Sequence, residues 1–244
     1  TPIKSSAASD VYKRQISLFL ILTSSLFLLP SHAYAQKKDK ETLKAEYKAS
    51  PLYQGTSVGI EVAGAGGYLL GGDILSSEII VQTNLKNRFL PVVEIGYGKT
   101  DVINDANDMH YKTSAPYFRI GMDYNVFYQK PYLPGYLYVG LRYGMSSFTY
   151  DASGPDMTDP NYGGHITVPF ADLGVKSNAS WLEGVVGIKV KIYKRFHMGW
   201  AVRYKMRMSV DSHENSNPWY VPGFGKNAGS SFNLTYNLIY NLPF

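Results

Sequence analysis

The last thirteen residues carry a two-residue alternation that limits the fold more than any other feature of the chain. Residues 232–244 read FNLTYNLIYNLPF. Successive side chains of a β-strand point to opposite faces, so the segment predicts a strand with one apolar and one mostly amide face. A membrane-crossing strand needs about 9–11 residues, and this one is long enough. The expected lipid-facing side chains are Phe232, Leu234, Tyr236, Leu238, Tyr240, Leu242 and Phe244.

Seven further segments show the same period of two. They lie around residues 58–63, 78–85, 89–98, 118–128, 137–145, 182–192 and 196–208. Short, basic connections alternate with long, polar ones. The short connections are 86–88, 129–135 and 194–195, and the long ones are 64–77, 99–115, 149–180 and 211–230. This rhythm predicts an all-β fold, a single antiparallel up-and-down transmembrane β-barrel of eight strands, over residues 55–244.

The first 54 residues divide into three expected segments. Residues 1–15 have no initiator Met, and we interpret them as a non-native leader. Residues 16–35 have the layout of a secretory signal, an apolar run followed by Ala33-Tyr34-Ala35, with cleavage expected after Ala35. The apolar run ends at Pro30 and is short for a membrane-spanning helix. Residues 36–54 are Lys-rich, and we expect a periplasmic tail.

Composition excludes several classes of function. The 244 residues include no cysteine, which excludes disulfides and thiolate chemistry. The net charge of +5 is spread over the leader, the tail and alternate strand positions, so we expect no nucleic-acid partner. The length suits one barrel domain, and we expect a monomer.

Alternation alone does not decide which face of the barrel lies inside. A secreted, lipocalin-type barrel would turn its apolar face inward around a ligand. Here glycines such as Gly96, Gly121 and Gly140 crowd the charged face, and a narrow barrel has little room inside. An Arg or Lys facing lipid at mid-depth would cost about 2–4 kcal/mol. Aromatic residues near the strand ends also resemble interfacial girdles, so we place the charged face inside.

The inward-facing positions carry charges of both signs. The expected interior network consists of Glu61, Glu94, Arg119, Asp123, Arg142, Lys189, Arg203 and Lys205. Unpaired charges in a narrow lumen are costly, so we expect mixed-sign pairing in which Arg142 and Arg203 bridge the acids. This arrangement predicts a salt-bridged plug. The alternative is a small gated pore lined by the same groups.

Four segments of the chain carry a resemblance to known proteins. They are residues 84–101 (NLKNRFLPVVEIGYGKTD), 117–125 (YFRIGMDYN), 140–144 (GLRYG) and 219–226 (WYVPGFGK). With the signal and the aromatic end, the chain resembles small eight-stranded outer-membrane β-barrel proteins, and more narrowly an uncharacterised family of unknown function. The resemblance implies the outer membrane of a Gram-negative bacterium, contact with its lipid, and barrel-assembly machinery that engages the C-terminal strand. It implies no established activity.

Two outer stretches contain residue types that could do chemistry. His213, Glu214 and Ser216 follow the seventh segment, at the level where some outer-membrane lipid hydrolases hold His and Ser. A hydroxyl nucleophile needs a base within hydrogen-bond reach, and this spacing matches no motif, so a lipid-modifying hydrolase stays an alternative. Spaced acids suggest calcium without the EF-hand pattern. They are Asp101, Asp105, Asp108, Asp151, Asp156 and Asp159.

We therefore predict no catalytic residue, cofactor or metal, and leave calcium open. The expected role is structural or surface-binding. Residues 149–180 form the largest candidate surface for an unidentified extracellular ligand or protein, because binding residues concentrate on loops above a rigid scaffold. The motif Pro222-Gly223-Phe224-Gly225 predicts a turn.

Overall fold

A computed structural model describes residues 40–104, 108–155, 157–158, 167–168, 170–211, 213 and 216–243. The expected leader and signal, residues 1–35, lie outside these described residues, as does Phe244. Within the described ranges, the helices are too short or too polar to cross a membrane.

Eight strands form a closed antiparallel barrel, which confirms the predicted fold class. The strands of the chain are β1 (Tyr53–Glu61), β2 (Ile74–Leu85), β3 (Phe89–Asn104), β4 (Met109–Asn125), β5 (Gly135–Ser153), β6 (Met157–Thr158), β7 (Thr167–Val168), β8 (Ala171–Tyr193), β9 (Phe196–Val210), β10 (Tyr220–Val221), β11 (Gly225–Lys226) and β12 (Ser230–Asn241). The ring follows the order β1-β12-β9-β8-β5-β4-β3-β2, while β6–β7 and β10–β11 are separate small hairpins. Each ring strand therefore pairs with its neighbours along the chain, and β1 pairs with β12 to close the ring.

Two helices accompany the barrel. Helix α1 (Lys40–Ala49) precedes β1, and its Tyr47 ring lies edge-on to Tyr128 with the centroids 5.1 Å apart. Helix α2 (Ala63–Leu69) lies in the connection from β1 to β2. The prediction of a long polar loop over 64–77 was therefore wrong, since this stretch contains a helical turn and the start of β2.

Four strands continue well past the predicted strand ends. The β3–β4 ladder extends to Asn104 opposite Met109, and the β5–β8 ladder to Ser153 opposite Ala171. The predicted long loops over 99–115 and 149–180 are therefore largely extended hairpins. Residues that favour strands recur in three of these stretches, among them Thr100, Tyr111, Thr113, Thr149 and Tyr150. Their apolar alternation is weak because neither face is consistently apolar, and the sequence pattern missed them for that reason.

The two faces of the barrel wall differ sharply. Along β5, Arg142, Ser146 and Tyr150 point inward and are buried, whereas Leu141, which directly precedes Arg142, is 64% exposed on the outer face. The same alternation recurs around the ring. The described interior has three layers, with a charged layer between an aromatic layer at the long-loop end and a small polar cavity towards the short-turn end.

Candidate functional site

The charged layer brings ten ionisable side chains into the barrel interior. Five are acidic and five are basic, so the buried charges of the described residues balance. The acids are Glu61, Glu78, Glu94, Asp123 and Glu183, and the bases are Arg119, Arg142, Lys189, Arg203 and Lys205. Alternation on β1, β2, β3, β4, β5, β8 and β9 points each of them inward.

Glu94 on β3 is the hub of an ion-pair network. Its carboxylate lies 2.7 Å from Arg203 Nη1, 3.0 Å from Arg142 Nε and 3.2 Å from Arg119 Nη1. The side chain is 0% exposed. Three guanidinium groups on three strands therefore converge on one carboxylate that is shielded from bulk solvent.

Two further acids complete the network around Arg119 and Arg203. Arg203 Nη2 donates to Glu78 at 2.7 Å, and Arg203 Nη1 lies 3.5 Å from Glu183. Arg119 pairs with Glu78 and lies 3.3 Å from Glu183. The Tyr117 hydroxyl also donates to Glu78 at 3.1 Å. Arg203 also donates to both Glu94 oxygens, from Nη1 at 2.7 Å and from Nη2 at 3.2 Å. A bidentate contact of this kind fixes the orientation of the guanidinium group as well as its charge.

Arg142 connects the hub to the short-turn side of the interior. Besides Glu94, it contacts Asp123 through Nη2 at 3.0 Å, and Gln82 donates to the same Asp123 oxygen at 2.9 Å. Arg142 and Arg203 thus each bridge two or more acids from different strands. Five of the eight residues expected in the interior network take part, namely Glu94, Arg119, Asp123, Arg142 and Arg203.

Three residues expected in the network lie inside the barrel but outside the ion pairs. Glu61 accepts hydrogen bonds from the backbone N–H groups of Ala63 at 2.7 Å and Gly64 at 3.2 Å. Helix α2, which sequence reasoning did not foresee, presents these donors. Lys189 donates to Ser57 Oγ at 3.2 Å. Lys205 donates to the carbonyl oxygen of Gly223 at 2.6 Å.

Sequence reasoning missed Glu78 and Glu183 as members of the network. Both occupy inward positions of their strands, in phase with Gln82 and Gly187. The period-two pattern could have identified them. Glu78 belongs to the segment with the weakest alternation, because the inward neighbour Ile80 is apolar and interrupts the polar face.

The β10–β11 hairpin folds back into the long-loop end of the barrel. Tyr220, Val221 and Phe224 are almost completely buried. The Tyr111 hydroxyl donates to the Tyr220 carbonyl oxygen at 2.8 Å, and the Phe224 ring meets Trp181 edge-on at 6.0 Å. The prediction of a long, polar connection over 211–230 was therefore wrong for this part, since its apolar side chains cover the aromatic layer.

The turn of this hairpin matches the prediction for Pro222 to Gly225. Gly223 has φ +82° and lies against the Tyr117 ring, where a Cβ atom would overlap ring carbons. A side chain is disfavoured both by this backbone conformation and by the lack of space. The hairpin can therefore pack this closely only with glycine at its turn.

A small polar cavity lies on the short-turn side of the charged layer. Its volume is about 20 Å³, which is room for one water molecule. The lining includes Asp123, Arg142, Lys189 and Asn237. Asp123 Oδ1, Arg142 Nη1 and Asn237 Oδ1 are buried without a protein hydrogen-bond partner. The pocket therefore offers a buried water molecule three polar atoms that lack a protein partner.

The expected lipid-facing residues of β12 lie on the outer side of the wall. Phe232 is 74% exposed and Leu238 is 48% exposed, and Leu234 is also exposed. Tyr236 and Tyr240 are half-buried because each packs across the strand pair, on Trp200 at 5.5 Å and on Phe196 at 5.1 Å. Leu242 follows the strand and is half-buried.

Ser216 contacts a tyrosine. Its hydroxyl lies 3.1 Å from the Tyr150 hydroxyl, and its carbonyl oxygen accepts from the backbone N–H of His213 at 3.3 Å. The His213 side chain is exposed, and Glu214 lies outside the described residues. Among the described residues, no contact joins the Ser216 hydroxyl to the His213 imidazole. The described partner of the Ser216 hydroxyl is therefore Tyr150.

Two of the outer acids, Asp101 and Asp151, are engaged by protein groups. Asp101 pairs with His110 Nε2 at 2.7 Å, and this hydrogen bond lowers the pKa of the Asp101 carboxyl below its ordinary value. Asp151 accepts from the backbone N–H of Gly174 at 2.7 Å. Asp105, Asp156 and Asp159 lie outside the described residues. The described part of the chain contains no cluster of three metal-ligating side chains.

Comparisons with known proteins give a family but no activity. No curated protein sequence matches the chain. Neisserial surface protein A is similar in structure, with 14% identity and a TM-score of 0.41 over 78% of this chain and 99% of that one. A major outer membrane protein from Thermus thermophilus is similar with 13% identity and a TM-score of 0.45 over 78% of this chain and 100% of that one. The family model of a domain of unknown function, DUF6048, matches residues 11–244, and the chain belongs to that family.

Proposed function

We propose that this protein is a monomeric outer-membrane β-barrel with a lumen closed to solutes, and that it serves as a structural element or surface platform. The proposal includes export by the signal over residues 16–35 with cleavage after Ala35, and location in the outer membrane of a Gram-negative bacterium. The buried Glu94 network is the observation that carries the closed lumen. No catalytic step follows from the contacts of Ser216 and His213.

The distribution of apolar side chains supports a membrane setting. Around the ring, the outer face carries large exposed apolar residues at mid-strand while ten charges are buried inside. Examples are Ile60, Ile79, Ile95, Ile120, Leu141, Val186, Val202 and Leu238. A continuous apolar band of this kind is uncommon on soluble monomers. In a bilayer these side chains contact the acyl chains of the lipid, so the band needs no protein partner to cover it.

The contents of the lumen support closure to solutes. Arg119, Arg142 and Arg203 reach across the interior to shared acids, and the β10–β11 hairpin covers the long-loop end. A conducting pore would need a continuous column of water through the charged layer and through the aromatic layer that the hairpin covers. Opening the charged layer would separate buried ion pairs and leave uncompensated charges. Because such charges are costly, the layer resists opening.

Single-channel recording on the purified, refolded barrel tests this proposal. We expect the unmodified barrel to give no steady conductance. A variant with Arg119→Ala, Glu94→Ala and Arg203→Ala, and with residues 218–226 replaced by a Gly-Ser linker, should conduct if it refolds. Steady, high conductance by the unmodified barrel would contradict the closed lumen and favour a small gated pore.

The extended hairpins support a role as a surface platform. Strand β8 has 23 residues and β5 has 19, well beyond the 9–11 or so that cross a bilayer. Their outer halves project from the long-loop end and expose Leu173. Replacing residues 154–170 with a short turn should abolish attachment of cells to the protein's surface ligand, whereas His213→Ala and Ser216→Ala should leave it unchanged. Acyl release from lipid that is lost in Ser216→Ala would instead indicate a hydrolase.

A further inference from the structure

The short-turn end of the barrel carries positive charge without any acid in its turns. The connections β2–β3, β4–β5 and β8–β9 meet at this end. Their cationic residues are Lys86, Arg88, Lys130, Lys191, Lys194 and Arg195, and residues 84–89, 126–136 and 190–197 contain no Asp or Glu. At the long-loop end, acids such as Asp101, Asp151 and Asp211 mix with bases. The exposed charge is therefore distributed unequally along the barrel axis.

Each of these three turns places a cation over an aromatic ring. The Arg88 guanidinium lies 5.0 Å from the Phe89 ring centroid and 4.9 Å from that of Tyr128. Lys130 Nζ lies 5.6 Å from the Phe127 centroid, and Lys194 Nζ lies 5.1 Å from the Tyr193 centroid. Aromatic side chains favour the level of the headgroups, so their cation partners lie within reach of headgroup phosphates.

Backbone hydrogen bonds join the three turns into one rim. Asn125 N donates to Arg88 O at 2.9 Å, and Lys191 N donates to Pro134 O at 2.7 Å. Asn241 N donates to Arg195 O at 3.0 Å, which connects the end of β12 to the same ring. The cations are thus held on a fixed frame, which reduces the ordering cost of binding a ligand.

Helix α1 reaches this rim through the contact of Tyr47 with Tyr128. It adds Lys48, which is exposed. The side chains of its Glu41 and Glu46 lie outside the described residues. The surface that the turns present is positive, rigid and bordered by aromatic rings.

From these observations we propose that the short-turn rim binds the headgroups of anionic phospholipids in the adjacent leaflet. The inference rests on the proposed membrane setting. A phosphodiester accepts hydrogen bonds from Lys130, Lys194 and Arg195, while Phe127, Tyr128 and Tyr193 lie beside the glycerol and upper acyl chains. Cationic side chains near a membrane surface favour anionic over zwitterionic lipid, and the three turns at this end carry six of them.

Native mass spectrometry of the refolded barrel in nonionic detergent tests the rim. The probes are dioleoylphosphatidylglycerol and dioleoylphosphatidylcholine, added in equal amounts. We expect phosphatidylglycerol adducts to dominate, and the combined change Lys130→Gln, Lys194→Gln and Arg195→Gln to weaken that preference by about tenfold or more. The preference should also decline as ionic strength rises.

A matched variant at the opposite end controls for total charge. The combined change Lys112→Gln, Lys176→Gln and Lys226→Gln removes the same charge and should leave the preference intact. The rim site would be overturned if this variant lost as much of the phosphatidylglycerol preference as the rim variant does. Equal binding of the two lipids by the folded wild type would also overturn it. Displacement of the lipid by millimolar glycerol phosphate, or tight binding to isolated peptidoglycan without lipid preference, would also overturn it.

The same samples separate this inference from the proposed function. A barrel that inserts into phosphatidylcholine vesicles but shows no preference keeps the membrane setting and loses the rim site. Failure of the wild-type chain to insert into vesicles of either lipid would instead contradict the membrane setting itself.

Discussion

At the scale of single residues, Glu94 compensates the charge of three buried arginines. Glu94→Gln keeps the shape of the side chain but leaves Arg119, Arg142 and Arg203 with one fewer negative charge among them. Breaking a buried ion pair from one side costs about 3–5 kcal/mol. We expect urea unfolding of the refolded variant in lipid vesicles to show a loss of that order.

Asp101→Asn is the comparison for this substitution. Asp101 forms its ion pair with His110 in the exposed outer hairpin, where both side chains are about half-accessible to water. Exposed pairs contribute about 0–1 kcal/mol. Equal losses of stability in the two variants would contradict the central role assigned to Glu94.

Close strand contacts depend on inward glycine at particular positions. A Cβ atom at Gly121 would overlap the Leu141 carbonyl oxygen, which is backbone and unable to move aside. At Gly184, which lies on the outer face between the buried residues Glu183 and Val185, a Cβ atom would meet nothing within 4 Å. We expect Gly121→Ala to lower the free energy of unfolding by about 1–3 kcal/mol, with Gly184→Ala neutral or slightly stabilising in the same urea titration.

The sequence predicted the positions of charged side chains correctly where strand alternation alone decides them. It failed where another element of the fold supplies the partner of the charge. Alternation placed Glu94, Arg142 and Arg203 inside, because strand geometry alone decides which way they point. It assigned Glu61 and Lys205 to the ion pairs, whereas helix α2 and the β10–β11 hairpin supply their partners instead. Helix α2 has no period of two, and β10 and β11 have two residues each, which is too short to show one. The pattern that identified the barrel therefore could not detect either element.

The β10–β11 hairpin contributes to stability as an element through its buried aromatic side chain. Phe224 is 1% exposed and packs on Trp181, whereas Trp219 at the hairpin's edge is 38% exposed. Phe224→Ala should cost about 3–5 kcal/mol. Thermal unfolding followed by near-ultraviolet circular dichroism should show this loss, with a clearly smaller one for Trp219→Ala.

Strand β12 distinguishes the two faces of the barrel wall. Leu238→Arg would place a charge on the outer face at mid-strand, where lipid exposure costs about 2–4 kcal/mol. Asn237 faces the small interior cavity, which leaves space for the extra methylene of Asn237→Gln. We expect the first change to block assembly into vesicles and the second to be tolerated, as scored by heat-dependent mobility in gel electrophoresis. Equal assembly would show that the faces are assigned wrongly.

At the scale of the whole molecule, the proposed orientation can be tested by labelling. The chain contains no cysteine, so a single introduced cysteine is a unique target. Leu173→Cys is in the outer extension and Lys194→Cys is in a short turn. We expect a membrane-impermeant maleimide to label the first in intact cells and the second only after the outer membrane is permeabilised. Labelling in the reverse order would invert the orientation.

The closing seam between β1 and β12 is the shortest ladder of the ring. It runs only from Ser57 opposite Asn241 to Glu61 opposite Asn237, whereas the β5–β8 ladder runs from Gly135 opposite Val190 to Ser153 opposite Ala171. The seam also joins the most distant parts of the barrel sequence, and such contacts form late because loop closure must precede them. The ring therefore cannot close until β12 is in place beside β1. Until then, the open strand edges must be protected from pairing with other chains.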